Sequence, residues 1–349
     1  MFNTILARFV SVFLAILMFA TLPINLILGK KTEKIAHAED NCRMSFAAIS
    51  DVHLDEKSSF ISDGMLELGL MDMAKAKDRP DAVVFNGDTT NHGYFEQWDI
   101  FAASMARYDI ADKTFIVVGN HDTWGPNRED FTNPVDGVLP TFIKYNKSIS
   151  GRDIDNMYYS DTVNGYYFIA LGSEHDNTSA YVSDTQLEWF AGEMEKASKT
   201  GLPIFVFFHQ SINGTHGLPY NWELKKDDDP ATGGIGEQSD AVVAILKKYD
   251  NVFYISGHIH AGLKTENDKI GPDYATVEYM ENDNGNNITL INLPCFTNPD
   301  VLRGGHISNG CGMVIEAYDS YILLRARNFG AGTWLTKYDV KVDLVPVAR

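Results

Sequence analysis

Five short apolar runs recur between residues 44 and 255, and each run ends at polar or glycine residues. They are Met44–Ile49, Ala82–Phe85, Thr114–Val118, Ile204–Phe208 and Val252–Ile255. Runs of this length without polar alternation indicate strands that are covered on both faces of a sheet. Apolar residues at helical spacing over Asp63–Lys77 and Glu96–Tyr108 separate the first three runs. Because strands and helices alternate along the chain, the sequence predicts an α/β fold.

The remainder of the chain predicts a second sheet. Asn164-Gly165 predicts a hairpin turn, since both central residues of a type I′ turn need a positive φ. Further helices are predicted over Gln186–Ala197 and Ala241–Lys248. The tail predicts strands, over Ile288–Leu293, Gly312–Ala317, Ile322–Asn328 and Tyr338–Leu344. With no internal repeat and no Pro-, Gly- or Ser-rich linker, we expect residues 42–349 to form one domain, whose C-terminal strands from about residue 288 complete the second sheet.

The first 38 residues have the pattern of a secretory signal. An apolar run covers Phe9–Leu28, and Ala36-His37-Ala38 offers small residues at a cleavage site. The run is also long enough to cross a bilayer as an uncleaved anchor. The basic residues after it would favour an inverted orientation, but long domains translocate largely regardless of charge. Either a cleaved signal peptide or an N-terminal membrane anchor therefore predicts an extracellular or cell-surface protein.

The composition limits the possible partners. The chain has 47 Asp and Glu residues against 29 Lys and Arg residues, a formal net charge of −18. This balance argues against an extended nucleic-acid face, so an anionic substrate must be held by a metal or by a few aimed donors. Membrane contact is expected only through the N-terminal segment, and only if that segment is not cleaved. Three cysteines are too few for a disulfide scaffold, which leaves either a Cys295–Cys311 pair or three thiols.

Each of the five runs is followed immediately by residues of the types that bind metals. The motifs are Asp51-Val52-His53, Gly87-Asp88, Gly119-Asn120-His121-Asp122, His209 and Gly257-His258-Ile259-His260. Ligands bind at the carboxyl ends of strands in open α/β sheets, so we expect these loops to converge. Carboxylate, imidazole and amide groups suit Mn, Fe or Zn ions. One ion needs only three or four of them, and seven candidates therefore predict two ions that share a carboxylate.

In this order, the five motifs resemble those of the calcineurin-like metallophosphoesterase superfamily. The resemblance covers residues 45 to about 328, and Gln186-Leu187-Glu188-Trp189 is similar to the family's helix before the fourth motif. The third and fifth motifs are each fairly specific, and all five in order are very specific. The resemblance implies a four-layer α/β/β/α sandwich and a metal-dependent phosphoric ester hydrolase.

The resemblance also implies which residues hold two divalent metal ions. Each ion has three ligands of its own, and one aspartate bridges the pair. The ligands of the first ion are Asp51, His53 and His260. Those of the second are Asn120, His209 and His258. The bridge is Asp88.

The implied reaction is in-line attack on phosphorus by a hydroxide that bridges the metals. The resemblance assigns His121 as the general acid that protonates the leaving oxygen, with Asp122 orienting it. Asn91 stands where purple acid phosphatases carry a tyrosine ligand, which argues against a tyrosinate-bound ferric ion. Around Asp88 the chain is more similar to the cyclic-nucleotide phosphodiesterase-like branch, which slightly favours a phosphodiesterase over a phosphomonoesterase. The expected substrate is a small phosphate ester. A metal-free binding scaffold on the same fold, or a dinuclear hydrolase of a non-phosphate ester, are the alternatives.

Two further histidines have open assignments. His92 lies four residues after Asp88, and His216 lies seven after His209. Each either reaches the site or is an ordinary polar loop residue. Substrate specificity is expected in the loops of residues 125–139 and 211–236.

Overall fold

A computed structural model describes residues 32–55, 59–125, 134–174, 178–218, 233–264, 275–297 and 309–346. The apolar run Phe9–Leu28 and much of both loops expected to set specificity lie outside these ranges. Within them, no helix has both the length and the apolar character that a membrane span requires.

The described strands form two mixed sheets. In chain order the strands are β1 (Met44–Ile49), β2 (Ala82–Asn86), β3 (Lys113–Val117), β4 (Tyr159–Val163), β5 (Tyr166–Ala170), β6 (Ile204–Phe207), β7 (Val252–Ser256), β8 (Val277–Glu281), β9 (Asn287–Asn292), β10 (Cys311–Ala317), β11 (Tyr321–Asn328), β12 (Thr333–Trp334) and β13 (Val340–Asp343). The first sheet has the order β12-β11-β10-β1-β2-β3, with β13 also paired to β11. The second has the order β4-β5-β6-β7-β9-β8.

Both sheets have a parallel centre. In the first sheet β1, β2 and β3 run parallel, and β10 pairs with β1 antiparallel. In the second, β5, β6, β7 and β9 run parallel, whereas the edge strands β4 and β8 are antiparallel. All five strands predicted from the apolar runs lie in these parallel parts. Their carboxyl ends therefore share one edge of each sheet.

Helices cover the outer faces of the two sheets. They are α1 (Ser59–Ala74), α2 (Phe95–Met105), α3 (Pro134–Ser150), α4 (Asp184–Ser198) and α5 (Ser239–Leu246). Leu70 of α1 and Phe101 of α2 belong to the core of the first sheet. Phe190 of α4 and Val242 of α5 pack into a separate core with the second sheet. Four of the helices confirm the predictions, whereas α3 was missed.

The two sheets pack face to face through aromatic side chains. The ring of Phe46 in β1 meets those of Phe168, Phe205 and Phe207 edge to face, at centroid distances of 4.9, 5.0 and 5.8 Å. Such aromatic pairs add to the stabilisation that comes from buried area alone. With the flanking helices, this contact gives the four-layer α/β/β/α sandwich that the sequence predicts.

The hairpin prediction is confirmed, because Asn164 and Gly165 join β4 to β5 with φ values of 49° and 88°. The expectation that the C-terminal strands complete the second sheet was wrong for most of them. Only β9 joins that sheet, whereas β10 to β13 extend the first sheet. The physical reason is that β10 pairs along β1, placing Val314 opposite Ala47. The three cysteines are free thiols.

Residues 32–39, which we call the N-terminal strap, lie against the first sheet. Ile35 in the strap is 1% exposed and belongs to the core of that sheet. Its carbonyl accepts hydrogen bonds from the backbone N–H groups of Lys77 and Asp78, at 2.7 and 3.1 Å. The strap is therefore part of the folded domain.

We expect Ile35→Ala to lower the free energy of unfolding by about 2–4 kcal/mol, because it leaves a cavity in the core. The exposed neighbour Lys34 is the matched control, and Lys34→Ala is expected to change stability by less than about 0.5 kcal/mol. Chemical denaturation of both variants measures the difference. Equal stability would mean that the strap is not docked in solution.

Candidate metal centre

Six of the seven side chains predicted as ligands meet where the two sheets' parallel strands end. One group contains Asp51, His53, Asp88 and His260, and a second contains Asp88, His209 and His258. Within each group, one ligand atom per residue lies within 4.8 Å of all the others. Asp88 belongs to both groups, as a bridging carboxylate must.

Backbone hydrogen bonds fix the loops relative to one another. The Asp51 N–H donates to the Gly87 carbonyl at 3.1 Å, and the His53 N–H donates to the Asp88 carbonyl at 2.9 Å. Across the sheets, the His258 N–H lies 3.2 Å from both carboxylate oxygens of Asp51. The loops after β1, β2 and β7 are therefore one connected unit.

Five of the predicted ligand residues have a left-handed backbone. Their φ values are 60° at Asp51, 49° at His53, 48° at Asp88, 72° at His258 and 54° at His260. This region is unfavourable for residues with a Cβ, and such strain persists where the surrounding structure imposes it. The sharp turns direct these side chains back over the ends of the strands.

The first group is centred on Asp51, which is fully buried. Asp51 Oδ1 lies 3.3 Å from His260 Nε2 and 3.9 Å from His53 Nε2. The two imidazole nitrogens are themselves 2.9 Å apart. Three ligand atoms thus converge on one point.

The second group is arranged around Asp88. Its Oδ2 lies 3.0 Å from His209 Nε2. The His209 Nδ1–H donates to the Asn86 carbonyl at 2.9 Å, so Nε2 is the nitrogen left to bind a metal. The Oδ1 of buried Asn120 has no hydrogen-bond partner among the described residues. A buried oxygen of this kind is the atom that a cation would satisfy.

The pKa values reflect the charge balance in the site. Burial opposes charge on Asp51 and Asp88, but the neighbouring histidines hold the pKa of both carboxyl groups below the usual range. Burial also opposes charge on His209, yet Asp88 and Asp51 raise its pKa to about 9. Burial and His260 lower the pKa of His53 to about 3. The carboxylates therefore stay ionised and attract positive charge.

Three glycines leave the room that this convergence needs. A Cβ on Gly87 would lie 2.3 Å from the His209 ring, and one on Gly257 would lie 2.0 Å from Ser50 Oγ. A Cβ on Gly119 would lie 2.2 Å from both the backbone nitrogen and Oδ1 of Asp88. The motif glycines thus permit a close approach that no larger residue allows.

His121 lies beside both groups without belonging to either. Its backbone N–H donates to Asp88 Oδ1 at 2.9 Å, and its Nδ1–H donates to the Asn91 carbonyl at 2.8 Å. Its ring packs on that of Trp124 at a centroid distance of 4.1 Å and meets the His53 ring at 4.7 Å. These contacts leave Nε2 as the nitrogen that can exchange a proton.

The predicted orienting contact from Asp122 to His121 was wrong. The buried Asp122 carboxylate accepts hydrogen bonds from Thr90, through N–H at 2.8 Å and Oγ1–H at 2.7 Å, and from the Gly119 N–H at 2.9 Å. Residues 121–123 form a 3₁₀ helix, in which successive side chains point roughly 120° apart. Asp122 therefore braces the loops, and the Asn91 carbonyl orients His121.

The two histidines with open assignments, His92 and His216, fall outside both groups. His92 stacks on Tyr94, with its Nδ1 3.4 Å from Gln97 Nε2. Buried His216 donates from Nδ1 to the Ala275 carbonyl at 2.8 Å. Neither is a member of the two ligand groups.

The sequence reading missed the segment that supports the Asp51 loop. Beyond β9, the Phe296 N–H donates to the Ser50 carbonyl at 2.9 Å, and the Thr297 N–H donates to the Asp51 carbonyl at 3.2 Å. This segment has no motif, so only the fold identifies it.

The two sheets with their flanking helices, and the two buried groups of ligand-type side chains, are typical of a metal-dependent hydrolase. The site is a candidate dinuclear metal site. The family model for calcineurin-like phosphoesterases matches residues 44–262, and the chain belongs to that family. Comparison with curated protein sequences finds no match.

Solved structures share the fold. A dimetal phosphatase from Danio rerio is 13% identical, with a TM-score of 0.56 over 87% of this chain and 100% of that one. A purple acid phosphatase from yellow lupin, Lupinus luteus, is 15% identical, with a TM-score of 0.54 over 86% of this chain and 53% of that one. At this identity the likeness concerns the fold.

We expect Gly119→Ala to reduce metal binding sharply, because the added methyl group displaces Asp88. Gly192→Ala is the matched control, since a Cβ there meets no atom within 4 Å and Gly192 lies inside α4. The control is expected to keep metal affinity and to be at least as stable as the parent. Metal content after dialysis measures the difference. Full loading of the Gly119 variant would contradict the close contact.

Proposed function

We propose that this phosphoesterase family member hydrolyses a small phosphate ester with two divalent ions, Mn, Fe or Zn, and prefers diesters slightly over monoesters. The observation that carries the proposal is Asp88, which is shared by two buried ligand groups. Buried Asn120 Oδ1, which has no hydrogen-bond partner among the described residues, is proposed as a further ligand of the amide type. All seven ligand positions are present, which favours a working metal site over a metal-free scaffold.

The residues divide the work as follows. Asp51, His53 and His260 would hold one ion. Asn120, His209 and His258 would hold the other, with Asp88 between them. When bound, the ions supply a nucleophile from water near neutral pH and neutralise charge on the phosphate. The turns that carry the ligands fix their positions in advance, so little reorganisation is needed when substrate arrives.

His121 is proposed as the general acid. Its Nδ1–H is committed to the Asn91 carbonyl, so Nε2 is the atom that gives a proton to the leaving oxygen. Trp124 and the His53 ring limit rotation of the imidazole. The preference for diesters is supported by the sequence around Asp88, which is more similar to the cyclic-nucleotide phosphodiesterase-like branch than to purple acid phosphatases.

A substrate panel tests the proposed reaction. With Mn²⁺, we expect turnover of bis(nitrophenyl) phosphate to exceed that of nitrophenyl phosphate, and a nitrophenyl carboxylic ester to be left intact.

Asp88→Asn is expected to lose at least one ion and most activity, because the bridge loses its charge. Metal analysis and initial rates provide the measurements. An active Asp88→Asn enzyme with two ions would refute the bridging role, and preferential cleavage of the carboxylic ester would support the rival hydrolase.

A second prediction isolates the proton donor. We expect His121→Ala to lower kcat on a poor leaving group by about 10²–10⁴-fold, which is the usual contribution of general acid catalysis. Metal content should stay unchanged, since His121 is outside both ligand groups. The loss should shrink with nitrophenol, which leaves without needing a proton. His92→Ala is the nearby control and should retain most activity; an equal loss on both leaving groups would argue against acid catalysis.

A further inference from the structure

The N-terminal strap is bound to the first sheet and to the segment after α1 at several points. Near its start, the Glu33 N–H donates to the Gly332 carbonyl at 2.8 Å. In its middle, Ile35 is buried and its carbonyl is hydrogen-bonded. Near its end, the Ala38 N–H donates to Glu316 Oε2 at 3.0 Å. The strap is therefore held at fixed points and is no free linker.

Two arginines of β11 strengthen this attachment. Arg327, 0% exposed, donates from Nη2 to the Glu33 carbonyl at 2.6 Å, and Arg325 donates from Nη1 to the Ala36 carbonyl at 2.6 Å. Both guanidinium groups lie over the Trp334 ring, at 4.6 and 3.7 Å from its centroid. The charge of Arg327 is paired with Asp72 through two hydrogen bonds. Without the strap, the guanidinium groups of Arg327 and Arg325 would lose the backbone carbonyls that accept their hydrogen bonds, which is costly for a buried donor.

The direction of the strap follows from the strand register. Arg327 lies opposite Gly312, whose neighbour Met313 lies opposite Ala48 near the carboxyl end of β1. Glu316, which binds the end of the strap, lies opposite Ser45 near the start of β1. The strap thus runs antiparallel to β1. The chain therefore enters the domain at the edge where β1 ends and Asp51 of the metal site follows.

Only three residues separate the strap from the apolar run Phe9–Leu28. Even fully extended, the chain from Leu28 to Thr32 spans at most about 14 Å. Lys30, Lys31 and the exposed Lys34 lie at this junction, a basic cluster in an otherwise acidic chain. Basic residues next to an apolar segment favour anionic head groups.

We propose that the apolar run remains in a bilayer, that the strap holds the metal-site edge toward that bilayer, and that the substrate is a phosphate ester carried by a membrane lipid. The substrate class rests on the proposed function, whereas the orientation rests on the strap and on the apolar run that precedes it. A connection of only three residues limits the orientations that the domain can adopt. The effective concentration of lipid phosphates at the site is then high, whereas that of a freely diffusing ester is not raised.

The orientation is tested with the full chain in vesicles. A dye is placed either at exposed Asn309, beside the metal-site edge, or at exposed Ser320, in the turn between β10 and β11 at the opposite end. The seven residues of β10 separate these levels by roughly 23 Å. Cys42→Ser removes the partly exposed thiol, and the other two cysteines are buried. The labelled variants are Asn309→Cys and Ser320→Cys.

With quencher attached to lipid head groups, we expect at least threefold stronger quenching at position 309 than at position 320. The control inserts a flexible Gly/Ser segment of about 20 residues between Lys31 and Thr32, which frees the domain while keeping the apolar run. In this control the difference should disappear. Equal quenching in the parent chain, stronger quenching at position 320, or cleavage after Ala38 in the exporting cell would overturn the proposed orientation.

The substrate class is tested with the same two proteins. Phosphatidic acid and phosphatidylglycerol in vesicles are the membrane probes, and bis(nitrophenyl) phosphate is the soluble one. We expect the parent to exceed the linker variant at least tenfold on one lipid and to equal it on the soluble ester. Equal rates on every substrate would refute the lipid proposal while leaving the phosphoesterase intact. Inactivity of both proteins on all three esters would instead refute the proposed function.

Discussion

Charge compensation of two buried carboxylates is the constraint on which this structure depends. Asp51 and Asp88 are 0% exposed, and an ionised carboxylate out of water is costly unless cations or donors satisfy it. Imidazoles supply part of the compensation, which is why the pKa of His209 rises to about 9 while those of the carboxyl groups fall. Divalent ions would supply the rest. The buried carboxylates thus favour binding of cations, and only the bound cations would attract a phosphate group.

The backbone accepts strain to reach this arrangement. A left-handed conformation at a residue with a Cβ costs on the order of 1–3 kcal/mol, and five ligand residues adopt it. The hydrogen-bonded parallel strands and the loop-to-loop bonds at Gly87 and Asp88 offset that cost. Glycines 87, 119 and 257 permit the loops that carry these residues to approach one another closely. The motif glycines and the residues after them therefore depend on one another.

The sequence predicts the parallel centres and the ligand set because both leave local signals, apolar runs and the residues directly after them. Pairing between distant strands leaves no such signal, which is why β10 was assigned to the wrong sheet. The helix α3 was missed because Gly137 and Pro140 interrupt its pattern. Asp122 was misassigned because sequence neighbours in a 3₁₀ helix face different directions. The residues that support Asp51 came from the fold alone.

An acidic chain can use an anionic substrate only if the attraction is local. The net charge of −18 repels phosphate at long range, although salt screens it beyond about 8 Å at physiological ionic strength. Two divalent ions held by the two ligand groups would reverse the sign inside that distance. A substrate brought to the metal-site edge by another force avoids most of the unfavourable approach. In the proposed orientation, a strap that begins at this edge, three residues after an apolar run, would supply such a force through the membrane.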